Sequence, residues 1–266
     1  MFRRALLVAI FPWLASLLPA AADNWFVQAN AGVTRLKLDQ LEDNDPVGVV
    51  FTANRRDGTG IIPQRVRQPD LGFAGGVSVG RLIDQFPVRL TYRHFGAGIA
   101  TASGLFFSNP FDGSVSPSFP QSMRVRADAL FLGADYQHRF GGGWFLELTA
   151  EVGTTFLRAN GIRDIGTELQ QPYPTARRIN FAYGAGASLG FQLTNSLSIL
   201  AGANWDHLGR MQTGFNPDIG RGPEAFLVSQ QLGLIPVSAP LPPTHAALRT
   251  NSLSATTIAL GLRYGF

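Results

Sequence analysis

Apolar and polar residues alternate at every second position in eight segments of this chain, which is the period of a β-strand with one apolar face. In the fifth segment, for example, Trp144, Leu146 and Leu148 lie on one face. Glu147 and Thr149 lie on the opposite face. The eight predicted strands cover about residues 25–36, 71–83, 88–96, 125–140, 144–157, 179–193, 197–208 and 252–266. The pattern therefore predicts an all-β protein.

The connections between these strands alternate between long and short. Residues 84–87, 141–143 and 194–196 are short and rich in turn-forming residues. The long connections cover about residues 37–70, 97–124, 158–178 and 209–251. Tight turns at one end and long loops at the other are typical of an eight-stranded antiparallel transmembrane β-barrel, with both termini at the end with the tight turns.

Two alternatives to this architecture remain open from the pattern. A soluble up-and-down barrel has the same strand order but places its apolar faces inside. That arrangement does not explain why aromatic residues such as Trp25, Trp144 and Tyr264 cluster at strand ends. The first long connection also contains apolar runs at Val47–Thr52 and Ile61–Ile62. These runs leave a ten-stranded barrel as the structural alternative.

The last nine residues end the chain on an aromatic residue. Their apolar face consists of Ile258, Leu260, Leu262, Tyr264 and Phe266. In a soluble sheet such a strand is an exposed edge that native proteins avoid, whereas in a closed barrel it faces lipid. The pattern resembles the C-terminal assembly signal of Gram-negative outer-membrane barrels. The predicted mature chain is similar in architecture to the small outer-membrane β-barrel superfamily, including the OmpA transmembrane domain, OmpX and opacity-type proteins, with no motif that selects a subfamily. The resemblance implies insertion by the barrel assembly machinery.

The N-terminus predicts export. Arg3 and Arg4 precede an apolar stretch, Ala5–Leu18, and Ala20–Ala22 fits the small-residue rule for signal cleavage. The stretch is short for a transmembrane helix, and two prolines interrupt the region. We therefore expect a signal peptide over residues 1–22 and a mature barrel over residues 23–266. The expected location is the outer membrane of a Gram-negative bacterium.

Composition agrees with this location. The chain is 45% hydrophobic and 15% charged, and outside the N-terminal stretch no apolar run reaches the roughly 18 residues that a membrane helix needs. A barrel explains the combination, because its apolar residues are spread along alternating strands. Loss of Arg3 and Arg4 lowers the formal charge from +4 to +2. We therefore expect no nucleic-acid partner.

Charged residues lie on the strand faces opposite the apolar rows. Six of them form a predicted luminal charge network: Arg89, Arg93, Asp135, Glu147, Glu151 and Arg263. Asp206 on the seventh strand also faces inward. Buried charges require partners, and both signs occur on neighbouring strands. We expect these side chains to fill and plug the lumen. A selectivity ring in a narrow channel is the alternative.

No catalytic, metal or cofactor site is expected. Asp206 and His207 are adjacent, so on a strand their side chains point to opposite faces and cannot form a catalytic couple. The four histidines are scattered along the chain. A lipid A-modifying or proteolytic barrel enzyme therefore stands as the second alternative.

Arginines in the predicted loops suggest contacts with the phosphates of lipopolysaccharide, because arginine pairs with phosphate through two parallel hydrogen bonds. These candidates are Arg55, Arg56, Arg65, Arg67, Arg177 and Arg178. Local ion pairing is the alternative explanation. The sequence as a whole predicts a monomeric outer-membrane barrel with a structural or surface-interaction role. Its expected partners are outer-membrane lipid, lipopolysaccharide and a host or environmental ligand at the loops.

Overall fold

Eight long antiparallel strands make up the fold. The computed structural model describes residues 24–39, 41–43, 66–83, 86–102, 121–164, 170–215 and 247–266. The strands are β1 (Trp25–Leu38), β2 (Gly72–Ile83), β3 (Phe86–Ala102), β4 (Gln121–Arg139), β5 (Trp144–Asp164), β6 (Gln170–Gln192), β7 (Leu197–Gln212) and β8 (Leu248–Gly265). No helix in the described ranges is long and apolar enough to cross a membrane.

The strands form a closed ring in chain order. Each strand pairs with the next, and β1 also pairs with β8 from Phe26 opposite Gly265 to Leu38 opposite Leu253. Two backbone hydrogen bonds join Trp25 to Phe266 at the start of this seam, at 3.2 and 2.9 Å. The ring therefore has no unpaired edge along this seam, and the predicted barrel of eight strands is confirmed.

Two short segments lie beside the ring without entering it. Glu42–Asp43 pairs with β8 at Leu248 and Arg249. Val66–Arg67 pairs with β3 at Thr101 and Ala102. Because β1 pairs directly with β8, the ring closes with eight strands rather than ten. The apolar runs at 47–52 and 61–62, on which the ten-stranded alternative depended, lie outside the described residues.

Tight connections lie at one end of the barrel, together with the start of β1 and the end of β8. We call this end the turn end and the opposite end the loop end. A turn of 3-10 helix at Gly141–Gly143 joins β4 to β5. Gly142 and Gly143 have φ values of 73° and 85°, a region that favours glycine. Between β6 and β7, the Thr194 hydroxyl accepts hydrogen bonds from the backbone N–H groups of Ser196 and Leu197.

Next to the turn end the barrel is apolar outside and polar inside. Outward-facing large apolar residues form a band that we call the apolar belt, including Val33, Val77, Leu90, Leu130, Leu132, Leu148, Val152, Leu189, Ile199, Ile258, Leu260 and Leu262, all exposed. Aromatic rings border it on the turn side at Trp25, Phe86, Tyr136, Phe140, Trp144 and Tyr264, and on the loop side at Phe73, Phe156, Phe181, Tyr183 and Trp205. Apolar residues between two aromatic girdles are typical of a surface that faces lipid.

Toward the loop end the polarity of the two faces is reversed. On β1, Arg35 and Lys37 are exposed outside the wall, whereas Leu36 and Leu38 are buried inside it. The interior of this half is a hydrophobic cluster that includes Leu36, Leu38, Phe95, Met123, Val125, Leu157, Tyr173, Leu208, Met211, Leu248 and Leu253. We call this cluster the upper core. This half has the apolar-inside pattern of a soluble barrel.

The strands therefore continue beyond the limits set by the sequence pattern. Most of residues 158–178, expected to be a long loop, belong to β5 and β6, which extend to Asp164 and from Gln170. The other three expected loops also lose residues to strands at their ends. The strands continue because alternation persists after the apolar face turns from lipid to the upper core.

Candidate functional site

A buried arginine at the centre of the lumen holds two carboxylates from other strands. Arg93 on β3 lies 2.7 Å from Glu151 Oε1 on β5 and 2.6 Å from Asp206 Oδ1 on β7. Its guanidinium group also lies 5.2 Å from the ring centre of Phe131. Since β3 and β7 stand on opposite sides of an eight-stranded ring, this ion pair crosses the lumen.

Gly184 makes room for this cluster. It lies on β6 between Glu151 on β5 and Asp206 on β7, directly opposite both residues. A methyl group at this position would collide with the Asp206 carboxylate and would lie 3.2 Å from Glu151 Oε1. The missing side chain therefore allows the two acids to converge on Arg93.

A second ion pair lies closer to the turn end. Arg89 Nη1 on β3 is 3.1 Å from Asp135 Oδ2 on β4. Thr149 on β5 connects the two groups, because its hydroxyl donates to Asp135 Oδ1 at 2.6 Å and accepts from Arg89 Nη2 at 3.1 Å. All three residues are buried.

The third ion pair joins the closing strand, β8, to β5, three strands away around the ring. Arg263 on β8 donates to both oxygens of Glu147 on β5, at 2.7 Å to Oε2. It also donates to Gln28 Oε1 on β1 from two nitrogens, and its guanidinium group lies 4.6 Å from the ring centre of Phe26. Gln137 on β4 donates a further hydrogen bond to Glu147 at 3.0 Å. Glu147 is therefore fully buried with its charge neutralised.

The six residues of the predicted network all lie inside the barrel, together with Asp206. They form three separate clusters along the axis, since no hydrogen bond or ion pair within the described part of the chain joins one cluster to another. Sequence reasoning did not find the neutral partners Gln28, Gln137 and Thr149. Their inward position follows from the strand period, but their contacts depend on the register and on side-chain reach across the lumen.

At the turn end a cavity of about 290 Å³ opens below the third ion pair. Its walls include Arg139, Gln137 and Arg263 together with the rings of Trp25, Phe145 and Phe266. In the direction of the loop end, successive ion pairs and then the upper core occupy the interior. The cavity is therefore a vestibule that ends at the charged layers.

The predicted C-terminal assembly signal lies on the outer wall. Ile258, Leu260, Leu262 and Tyr264 are exposed on β8. Phe266 is half-buried at the turn end, with its ring centre 6.2 Å from that of Tyr264. This row continues the apolar belt across the seam between β8 and β1.

Three of the six arginines proposed to contact lipopolysaccharide, Arg55, Arg56 and Arg65, lie outside the described residues. Arg67, Arg177 and Arg178 are exposed near the loop end, and Arg178 donates a hydrogen bond to Gln212 at 3.0 Å. The predicted signal peptide, residues 1–22, also lies outside the described part of the chain.

The structure adds exposed basic residues on the strands themselves. They lie on six of the eight strands just above the apolar belt and form what we call the basic collar: Arg35, Lys37, Arg124, Arg126, Arg158, Arg177, Arg210 and Arg249. Most of them lie in segments that the sequence pattern predicts to be long loops. The alternating runs at residues 35–38 (RLKL) and 123–126 (MRVR) carry the signal, because they show basic residues outside and apolar residues inside.

An acid–imidazole contact lies on the outer wall. His94 Nδ1 on β3 is 2.8 Å from Asp128 Oδ1 on β4, and the Tyr92 hydroxyl donates to the same oxygen at 2.7 Å. The sequence did not reveal this pair, because 34 positions separate its members and only the register places them opposite each other. Asp206 and His207, in contrast, lie on opposite faces of β7. His207 stacks on Tyr183 outside the wall, with ring centres 5.0 Å apart.

No family model and no curated protein matches the sequence. In fold, the chain is similar to solved outer-membrane barrels. The outer membrane protease OmpT from Escherichia coli matches with a TM-score of 0.52 and 11% identity, over 94% of this chain and 99% of OmpT. OprG from Pseudomonas aeruginosa has a TM-score of 0.45 and 10% identity, over 91% of this chain and 97% of OprG. Neisserial surface protein A has a TM-score of 0.41 and 11% identity, over 91% of this chain and 97% of that protein.

At this level of identity the likeness to OmpT shows the fold alone. The closed ring, the lipid-type exterior and the polar interior of the turn-end half complete the assignment, since each is a requirement of a barrel that crosses a bilayer. The protein is an outer-membrane β-barrel with transmembrane strands and buried salt bridges inside.

Proposed function

We propose that this barrel has a sealed lumen and acts as a structural and surface-interaction protein of the outer membrane rather than as a pore. The observation that carries the proposal is the ion pair from Arg93 to Asp206, which joins opposite walls at 2.6 Å. An eight-stranded barrel is only wide enough for its own side chains. An ion pair that spans this width leaves no continuous water path.

The upper core supplies a second barrier in series with the charges. Phe95, Met123 and Leu208 are fully buried on the loop-end side of the Arg93 cluster. An ion entering this region would lose its hydration without gaining polar ligands, which is strongly unfavourable. The interior of the described barrel therefore combines a layer of ion pairs, made by three arginines and four carboxylates, with an apolar layer.

The surface role rests on the layout of the connections. The strands are joined at the loop end by the long segments of the sequence, which include residues 44–65, 103–120 and 216–246. The described strand ends that flank these segments lie on the side of the barrel opposite Trp25 and Phe266. We propose that these segments contact a host or environmental ligand and that the collar contacts lipopolysaccharide, with the barrel acting as a monomer.

We also propose that the protein is not an enzyme. The Asp206 carboxylate is paired with Arg93, and its side chain points to the opposite face of the strand from His207. The residues opposite His94 on the two neighbouring strands are Gly75 and Asp128, and neither supplies a nucleophilic hydroxyl. Incubating the purified barrel with fluorogenic peptides and with radiolabelled lipid A tests this point. Turnover that depends on His94 or Asp128 would contradict it.

Conductance in planar lipid bilayers tests the sealed lumen. The mature chain, reconstituted at a verified protein-to-lipid ratio, is expected to give no steady current above that of protein-free membranes. An open porin at the same ratio provides the reference. A stable, ion-selective conductance of the unmodified protein would overturn the proposal and support the narrow-channel alternative, with the turn-end vestibule as its entrance.

A further inference from the structure

Three arginines from three neighbouring strands form a row on the outer wall. Arg126 on β4 lies directly opposite Arg158 on β5, and Arg158 lies directly opposite Arg177 on β6. All three side chains are exposed. Strands in a sheet are about 4.8 Å apart, so the row spans about 10 Å from its first to its third Cα atom. We call these residues the arginine row.

Nothing in the described part of the chain neutralises this row. Arg126, Arg158 and Arg177 take part in none of its ion pairs or side-chain hydrogen bonds. Asp128, two positions from Arg126, already accepts a hydrogen bond from Tyr92 and contacts His94. Like charges directly opposite each other on neighbouring strands are destabilising. The three luminal arginines of the ion-pair clusters, in contrast, all have acidic partners.

The row lies at the edge of the apolar belt. One step toward the turn end, Phe156 on β5 lies opposite Ile179 on β6, and both are exposed. From Trp144 to Phe156 the strand rises about 30 Å along the barrel axis, at roughly 3.3 Å per residue and a tilt of about 40°. This distance matches the hydrocarbon core of a bilayer. Arg158, two residues further, therefore reaches the headgroup level of the outer leaflet.

We propose that the arginine row is a binding site for the phosphates of an outer-leaflet glycolipid of the lipopolysaccharide type. Each guanidinium group matches the geometry of a phosphate through two parallel N–H donors. The bound lipid lays its acyl chains along Phe156, Ile179 and Phe181 on the wall below. A bound anion removes the repulsion within the row. The inference rests on the collar's proposed contact with lipopolysaccharide, for which it names the specific site, and it does not depend on the sealed lumen.

The apolar residues below the row favour a lipid over a soluble phosphate. Phe181, which follows Ile179 by two positions on the same face, is 67% exposed, and Ile179 is 71% exposed. Because this surface faces bilayer hydrocarbon, an acylated phosphate can place its headgroup on the row and its chains on the same wall, whereas a soluble phosphate contacts the row alone. The ligand class is therefore an anionic headgroup with several acyl chains.

Native mass spectrometry of the full mature chain in detergent tests the site. The probe is bisphosphorylated lipid A, and dephosphorylated lipid A and soluble glucosamine 1-phosphate are the comparison ligands. The row variant R126Q/R158Q and the matched collar variant R35Q/K37Q each lose two positive charges. We expect the affinity of the row variant for bisphosphorylated lipid A to fall by about tenfold or more. The affinity of the collar variant should change by less than about threefold.

Each outcome decides the question. An equal loss in both variants would show diffuse attraction to the whole collar and overturn the site, as would unchanged binding by the row variant. If dephosphorylated lipid A binds as tightly as bisphosphorylated lipid A, the row does not recognise phosphate. If glucosamine 1-phosphate binds as tightly, the ligand of the row is a soluble phosphate rather than a lipid. The heat-modifiable shift of the barrel in gel electrophoresis verifies that both variants are folded. Failure here leaves the sealed-lumen proposal untouched, since conductance tests that separately.

Discussion

At the scale of single residues, the lumen contains charges that are almost completely withdrawn from water. Glu147 is 0% exposed and Arg263 is 8% exposed. Such a pair adds little net stability compared with apolar residues of the same size, but removing one partner leaves a buried charge uncompensated. The arrangement therefore fixes how the side chains of β5 and β8 meet across the lumen, more than it increases the free energy of unfolding.

The pair from Arg263 to Glu147 permits a double-mutant cycle. Glu147→Ala should lower the free energy of unfolding by about 3–5 kcal/mol, because Arg263 remains buried with only Gln28 as a polar partner. The double variant E147A/R263A should lose less than the sum of the two single variants. Urea unfolding in detergent micelles, followed by tryptophan fluorescence, measures all four proteins.

Ser78→Ala is the control for this cycle. It removes the neutral hydrogen bond of 2.9 Å between Ser78 and Thr91 inside the same half of the barrel. The expected cost is about 1 kcal/mol. If Glu147→Ala costs no more than Ser78→Ala, the carboxylate is not the buried, paired charge that the geometry describes.

At the scale of the strand, the alternation is continuous but its polarity is reversed along the strand. The outer face is apolar near the turn end and polar toward the loop end. On β5 the outward row runs from Leu148 and Val152 in the apolar belt to Arg158 and Asn160 beyond it. The strand period stays the same while the surroundings outside the wall change from hydrocarbon to headgroups. Each position on the outer row is therefore expected to tolerate charge according to its depth in the bilayer.

A matched pair of substitutions on β5 tests this depth dependence. Leu148→Arg places a charge in the middle of the apolar belt, where it should cost about 2–4 kcal/mol. Ile162→Arg changes an exposed residue of similar size on the same face of the same strand, beyond the basic collar, and should cost about 0–1 kcal/mol. Equilibrium unfolding from phosphatidylcholine vesicles measures both, and equal costs would be inconsistent with a membrane boundary below Arg158.

The closing strand gives a second test at this scale. Deleting Phe266 removes the aromatic end of the row that runs along β8, and also the two backbone hydrogen bonds between Phe266 and Trp25, one donated by each residue. We expect the shortened chain to accumulate in the periplasm or to be degraded, because the assembly signal is incomplete. Immunoblots of separated membrane and periplasmic fractions measure this. Normal outer-membrane amounts of the shortened chain would refute the role given to the C-terminal row.

Strand positions and faces were within reach of the sequence, whereas strand lengths and partners were not. Arg89, Glu147 and Arg263 lie on inward rows, a direction that follows from a period of two. The pairing of Arg93 with Asp206 depends on the ring geometry, which brings together residues 113 positions apart. The ends of β5 and β6 were missed because the expectation of apolar outside and polar inside was applied beyond the membrane, where it is reversed.

At the scale of the whole molecule, the barrel has two stacked interiors, one charged and one apolar. The charged interior lies within the apolar belt, where the bilayer supplies the apolar exterior. The upper core lies above it, where water and headgroups surround the wall. In the proposed sealed lumen, two barriers of different chemistry act in series along one axis, and removing either one leaves the other in place.

This arrangement makes a prediction about conductance. The variant R93A/D206A removes the ion pair across the lumen but leaves Phe95, Met123 and Leu208 in the upper core, so we expect it to stay closed in planar bilayers. Adding Phe95→Ala and Met123→Ala opens space in the upper core, the second barrier. This variant with four substitutions is expected to show steps of current. Retention of the heat-modifiable form verifies that the ring is intact. If R93A/D206A alone conducts steadily, the upper core is no barrier and the charged layer alone closes the barrel. If the variant with four substitutions is folded but does not conduct, another part of the chain blocks the loop end.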